Sequence, residues 1–121
     1  FRDAVGSNKF LKSDKKNYQM DFRNSSESIR EVALDIKEGA DLIMVKPGMP
    51  YLDVIKLVKD SFKIPVFAYQ VSGEYSIIKL GVKNKLINNE SILESLISFK
   101  RAGATAIVSY FALEIAKKLK N

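Results

Sequence analysis

"DLIMVKPGMPY", residues 41–51, carries an apolar run, Leu42 to Val45, into Lys46 and an immediate stop at Pro47-Gly48. Lysine is costly to bury, so one placed where a buried strand ends either extends its amine into solvent or uses it. Pro47 disfavours helical conformation at the residue before it, which keeps Lys46 extended as the last residue of the strand. Gly48 then lets the backbone turn tightly without a side chain to block a pocket.

Upstream of this stretch, Asn24 and Glu27 have the spacing of a capping box, with Asn in place of the usual Ser or Thr. Ile29, Val32, Ala33 and Ile36 follow at the spacing of an amphipathic helix, and Gly39 is placed to end it in a left-handed conformation. "DLIMV" itself is continuously apolar, as expected of a parallel strand covered on both faces. Downstream, Pro50 suits the first position of a helix and Asp53 its positively polarised first turn. Leu52, Ile55, Val58 and Phe62 mark the buried side of that helix.

"IPVFAYQVS", residues 64–72, reads as a second strand, bounded by Pro65 and Gly73. A helix from about Glu74 to Leu80 is expected to break near Gly81. Another runs from about Glu90 to Ala102, with Ile92, Leu93, Leu96, Ile97 and Phe99 as its apolar positions. "TAIVSY" (105–110) is a third strand, and "FALEIAKKLK" (111–120) a last amphipathic helix whose lysines sit where the dipole favours cations. "KEGADLIMV" (37–45) and "KRAGATAIV" (100–108) repeat one order: charged helix end, Gly-Ala, one polar residue, apolar strand. Helices alternating with buried strands argue for βαβ units on a parallel sheet. The repeat length approaches that of an eight-stranded barrel of about 250 residues. A flavodoxin-like open sheet fits the pattern too, but as an incomplete one.

Bulk properties narrow the chemistry. The 121 residues suffice for one domain; 46% are hydrophobic and 28% charged, ordinary for a globular chain. No apolar run approaches the ~18 residues of a membrane-spanning helix, and no signal-peptide pattern opens the chain. Neither Cys nor His is present, so acid-base or covalent chemistry within these residues falls to Lys, Asp, Glu, Tyr or Ser. The chain begins with Phe1 and is expected to be the C-terminal piece of a longer protein. Residues 1–23 hold Arg2, Lys9, Lys12, Lys15, Lys16 and Arg23 against Asp3, Asp14 and Asp21, half of the net charge of +6. Lacking helical periodicity, this segment reads as a loop. It is a solvated basic loop, a nucleic-acid contact, or a cationic cover over an anionic substrate. No recognisable nucleic-acid module accompanies it.

In a (β/α)8 barrel the active site lies at the C-terminal strand ends. Here those ends carry Lys46, the segment Gln70 to Glu74, and Ser109-Tyr110. A neutral lysine amine attacks a carbonyl to form a Schiff base, provided its pKa falls from about 10.4 toward neutrality. Apolar surroundings and neighbouring cations drive that fall, and the basic loop would supply the cations by folding over the site. Ser72 precedes a helix start, so its hydroxyl and nearby amides suit an anion such as a carboxylate. The Tyr110 hydroxyl suits the same anion. Each alone has a bland reading: a solvated strand end, a helix cap, a rim aromatic. Their convergence on three successive strand ends is what favours a site.

"FRDAVGS" (1–7), "KKNYQMD" (15–21), "MVKPGMPYLDVI" (44–55), "FAYQVSGEYSII" (67–78) and "KRAGATAIVSYFA" (100–112) together closely resemble the porphobilinogen synthase (5-aminolevulinate dehydratase) family. The resemblance covers essentially all of the chain. It implies a fold class of α/β, the C-terminal part of a (β/α)8 TIM barrel: a lid loop (1–23), then a helix and three βα units (24–121). It implies a hydro-lyase that condenses two molecules of 5-aminolevulinate to porphobilinogen in tetrapyrrole (heme) synthesis. Lys46 matches the family's Schiff-base lysine. Ser72 and Tyr110 match residues that bind that substrate's carboxylate. Arg2, Lys15 and Gln19 match residues toward the second substrate's carboxylate, with Lys16 or Lys12 as alternatives to Lys15. Glu31 matches a position that binds an allosteric magnesium at a subunit interface in magnesium-dependent members, against a plain solvated glutamate.

The family's second active-site lysine, its N-terminal arm and its cysteine zinc segment are expected upstream of Phe1, so zinc and magnesium dependence both stay open. The resemblance further implies a cytoplasmic homo-octamer, or a plastid one in a photosynthetic eukaryote, without nucleic-acid or membrane partners. These residues alone are expected to be poorly stable and inactive, because a three-stranded remnant exposes sheet edges. Two other readings compete: another class I Schiff-base barrel enzyme of the aldolase kind, and a basic non-enzymatic binding domain whose binding would depend strongly on salt.

Overall fold

Three short apolar runs, each preceded by a helix and followed by one, become parallel neighbours in one sheet. The computed structural model describes residues 25–120. Arg2, Lys15, Gln19, the basic segment 1–23 and Asn24 therefore lie outside the described residues. In chain order the elements are α1 (Ser26–Lys37), β1 (Ile43–Val45), a 3-10 turn (Met49–Tyr51), α2 (Leu52–Ser61), β2 (Val66–Gln70), α3 (Ser72–Lys83), α4 (Glu90–Ala102), β3 (Ala106–Ser109) and α5 (Ala112–Lys120). The sheet order is β1-β2-β3. Ile43 pairs with Val66, Val45 with Ala68 and Gln70 with Ser109, all in parallel register. This is the expected helix followed by three βα units.

The core lies between one face of the sheet and the helices. Val45, Val66 and Ala68 pack there with Ile55 and Val58 of α2 and with Ile92, Leu96 and Phe99 of α4. The opposite face is the one a closed barrel turns inward. It is open among the described residues: Met44 is 42% and Val108 40% exposed. Within these residues the burial of β1 alternates, with Ile43 and Val45 in and Met44 out, because the described helices pack on one side of the sheet.

Local departures have identifiable causes. α1 starts after Ser25, which makes no side-chain cap; the expected capping box of Asn24 with Glu27 involves a residue outside the described ones. Its buried positions are Ser28 and Val32, while Ala33 is exposed. Ser28 tolerates burial because its hydroxyl donates back to the Ser25 carbonyl. α3 begins at Ser72, not Glu74, and runs through Gly81 to Lys83. Gly81 does not break the helix; it admits the returning chain. A Cβ there would lie 3.0 Å from Ile87 Cγ1, and Leu86 N–H donates to the Gly81 carbonyl at 2.9 Å. The two repeated Gly-Ala signals share a purpose: Gly39 (φ +101°) and Gly103 (φ +118°) end α1 and α4 in conformations that β-carbons resist.

Candidate active site at the strand ends

The register sets the site. Val45 sits beside Ala68, which puts Lys46 next to Tyr69, and Ser109 sits beside Gln70, which puts Tyr110 next to Val71 and Ser72. Lys46, Ser72 and Tyr110 thus stand on the same edge of one sheet, at three consecutive strand ends. Lys46 lies one residue beyond the strand, in a bend, not within it as its last residue. Its amine is exposed and makes no ion pair among the described residues. The Lys46–Pro47 peptide bond is cis.

Gly48 serves close approach more than turning. Its backbone is ordinary right-handed helical (φ −77°, ψ −44°). A Cβ there would run into the Phe99 ring and lie 3.2 Å from the Tyr69 carbonyl oxygen. Its N–H donates to that same carbonyl at 2.8 Å, which fastens the segment after Lys46 to the end of β2.

Two buried polar side chains organise these ends, and neither was assigned a role from the sequence. Gln70 is fully buried. Its Nε2 donates to Ser95 Oγ at 2.9 Å, its Oε1 accepts from Ser109 Oγ at 2.6 Å, and Ser109 Oγ accepts from Phe111 N–H at 3.0 Å. Glu74, 1% exposed, accepts from Met49 N–H at 2.8 Å and from Val71 N–H at 3.1 Å. Burial pushes its carboxyl above the ordinary glutamate value, and those two N–H bonds pull it part of the way back. The signals were present: Gln70 continues the buried alternation Val66, Ala68, Gln70. Glu74 takes the third position of a helix once the start is placed at Ser72.

Tyr69 is the other residue missed. Its hydroxyl is raised above 10.0, first by a hydrogen bond with the Tyr110 hydroxyl and then by burial. The Tyr110 ring leans on Tyr75 at 5.6 Å between centroids, and Tyr75 meets Phe111 at 4.5 Å. A shallow cleft between α3 and α5, lined by Tyr75, Lys79, Tyr110, Leu113 and Lys117 among others, shares only Tyr110 with the predicted residues.

Glu31 is not brought to this edge. It lies exposed on α1, and among the described residues no group of three or more His, Cys, Asp or Glu side chains could hold a metal ion. No described helix is long and apolar enough to cross a membrane.

Comparison with known proteins follows the same residues. The family model described as delta-aminolevulinic acid dehydratase matches residues 1–118. A delta-aminolevulinic acid dehydratase of Bradyrhizobium diazoefficiens is 57% identical over 122 residues, covering 100% of this chain and 35% of that protein. A chloroplastic one of Pisum sativum is 50% identical over 120 residues, covering 98% and 30%. The crystal structure of delta-aminolevulinic acid dehydratase (porphobilinogen synthase) from Toxoplasma gondii, in complex with the reaction product porphobilinogen, superposes with a TM-score of 0.85 at 49% identity. That match covers 97% of this chain and 34% of that one. The chain thus spans about a third of the length of the relatives it matches.

Proposed function

Because this chain belongs to the delta-aminolevulinic acid dehydratase family, we propose that its residues form the C-terminal part of an enzyme condensing two molecules of 5-aminolevulinate to porphobilinogen. The supporting observation is the alignment of Lys46, Ser72 and Tyr110 along one edge of a parallel sheet. Lys46 is the nucleophile. Its neutral Nζ adds to the ketone carbon of one substrate molecule. The carbonyl oxygen then leaves as water, taking up the two amine protons, and a carbon–nitrogen double bond joins substrate to lysine. Over the whole reaction two substrate molecules yield one pyrrole and two waters.

Ser72 and the start of α3 receive the carboxylate of that first substrate, and the Tyr110 hydroxyl hydrogen-bonds to it. Arg2, Lys15 and Gln19 serve the second substrate's carboxylate, and residues 1–23 close over the site as a cationic lid. The family's second lysine belongs to the part of the enzyme that these residues do not span.

Enzymes of this family are generally metal-dependent. Of the described residues, Glu31, exposed on α1, is the one that would hold a magnesium ion, which binds through one or two carboxylates and retains water, and no step here is routed through it. The enzyme is assigned as a homo-octamer acting in the cytoplasm, or in the plastid of a photosynthetic eukaryote. Borohydride trapping with 5-aminolevulinate on the full-length protein carrying residues 1–121, followed by peptide mass mapping, tests the reading. A reduced adduct on Lys46, lost in Lys46→Ala, is expected; a folded, substrate-binding protein with no label on Lys46 would refute it.

A further inference from the structure

We propose that Glu74 is a positioning residue for this reaction: one carboxylate holds the Met49 and Val71 amides and thereby fixes Lys46 relative to Ser72. The inference rests on the functional reading above and adds a residue that the reading does not use. Oε1 accepts from Met49 N–H at 2.8 Å and Oε2 from Val71 N–H at 3.1 Å. Met49 is three residues past the nucleophile, and Val71 immediately precedes Ser72. Both amides belong to helix starts, Met49 opening the 3-10 turn and Val71 capping α3. Such amides lack intrahelical acceptors. At 1% exposure Glu74 leaves no room for bulk water to serve its oxygens, so the carboxylate and the two amides satisfy one another.

The consequence is geometric. The segment after β1 and the segment after β2 are separated by 25 residues between Met49 and Glu74, yet one rigid three-atom group links them. Two further described ties join the segments here: Gly48 N–H to the Tyr69 carbonyl at 2.8 Å and Gln70 Nε2 to Met49 Sδ at 3.7 Å. Commitment of the Val71 N–H to Glu74 also withdraws it from anion binding. A carboxylate arriving at the α3 start is directed to Ser72, whose hydroxyl has no hydrogen-bond partner among the described residues. Glutamine in place of Glu74 offers one acceptor oxygen and turns an N–H group toward the other amide, so one link is lost and one donor is orphaned.

The test uses the full-length protein carrying this chain, as wild type, Glu74→Gln and Lys46→Ala. The rate of borohydride-trapped adduct formation and the KM for 5-aminolevulinate are measured beside the thermal unfolding midpoint. A folded Glu74→Gln protein is expected to label Lys46 on the order of 10- to 100-fold more slowly, with a raised KM. Equal rate and KM in the folded variant would overturn the role. Should Glu74→Gln fail to fold, hydrogen exchange of the wild type decides: peptides containing Met49 and Val71 are expected to be protected, and exchange at free-loop rates would sink the bridge. Absence of any adduct on wild-type Lys46 removes the reaction assignment and Glu74's role together, whereas an adduct formed at unchanged rate removes the Glu74 role alone.

Discussion

The Ser109 hydroxyl donates to Gln70 Oε1 at 2.6 Å, joining the last residues of two neighbouring strands inside the molecule. Gln70 also donates to Ser95 of α4, so one amide ties β2, β3 and the helix between them at the edge where the proposed chemistry lies. Since Tyr110 follows Ser109 directly, the network sets where that hydroxyl stands.

Gln70→Leu keeps the volume and removes the bonds to Ser95 and Ser109 together with the weaker one to Met49 Sδ. Ser109 is left without its acceptor in a part-buried position, which costs about 1–3 kcal/mol. The denaturation midpoint of the full-length protein should fall accordingly. Gln70→Leu combined with Ser109→Ala should cost less than the two single changes summed, because both remove the same bond. Simple additivity would show that the two side chains do not cooperate.

Gly48→Ala tests the close approach of the Lys46 segment to α4. The added Cβ would collide with the Phe99 ring, and overpacking of this kind costs about 1–3 kcal/mol. Because Gly48 is two residues from Lys46, trapping of substrate on the lysine should slow as well. Adding Phe99→Leu should recover part of both losses. No recovery would mean that the Tyr69 carbonyl, not the ring, sets the limit.

How far the sequence discloses this arrangement depends on the kind of interaction that decides each element. α4 and the three strands follow from apolar spacing and flanking Gly and Pro, which are local signals, and α4 begins and ends where the spacing puts it. Lys46 is legible because a lysine between an apolar run and Pro-Gly is conspicuous. Glu74 is not, since its role depends on an amide 25 residues away and on a helix start placed two residues earlier than expected. Gly81 misleads for the same reason: helix propensity favours a break, and contact with Ile87 overrides it. Gly48 was legible as necessary, but its reason, the Phe99 ring, is tertiary.

The open sheet face carries a prediction for the 121-residue chain expressed by itself. Met44 and Val108 project from it, and Leu42 is exposed beside them. An apolar, partly unpaired sheet recruits other copies. The isolated chain should therefore sediment as polydisperse aggregate, and Met44→Lys with Val108→Lys should shift it toward monomer. A wild-type chain that is monomeric and unfolds cooperatively would contradict this.

The pH dependence of Glu74 has a definite sign. Its folded value lies above the ordinary 4.5, chiefly through burial. The folded state therefore holds the proton more tightly than the unfolded one. Its contribution to stability is full below 4.5 and is lost as pH rises through the higher folded value. A wild type compared with Glu74→Gln, which cannot ionise there, isolates this effect from the other carboxylates. Between 4.5 and the folded value the wild type should lose stability relative to the variant as pH rises, and the difference should level off above it. Denaturation midpoints of both proteins across that window provide the measurement. A difference that stays flat would mean that the Met49 and Val71 amides fully compensate burial of the charge. A difference of the opposite slope would mean that they stabilise the carboxylate beyond its value in water.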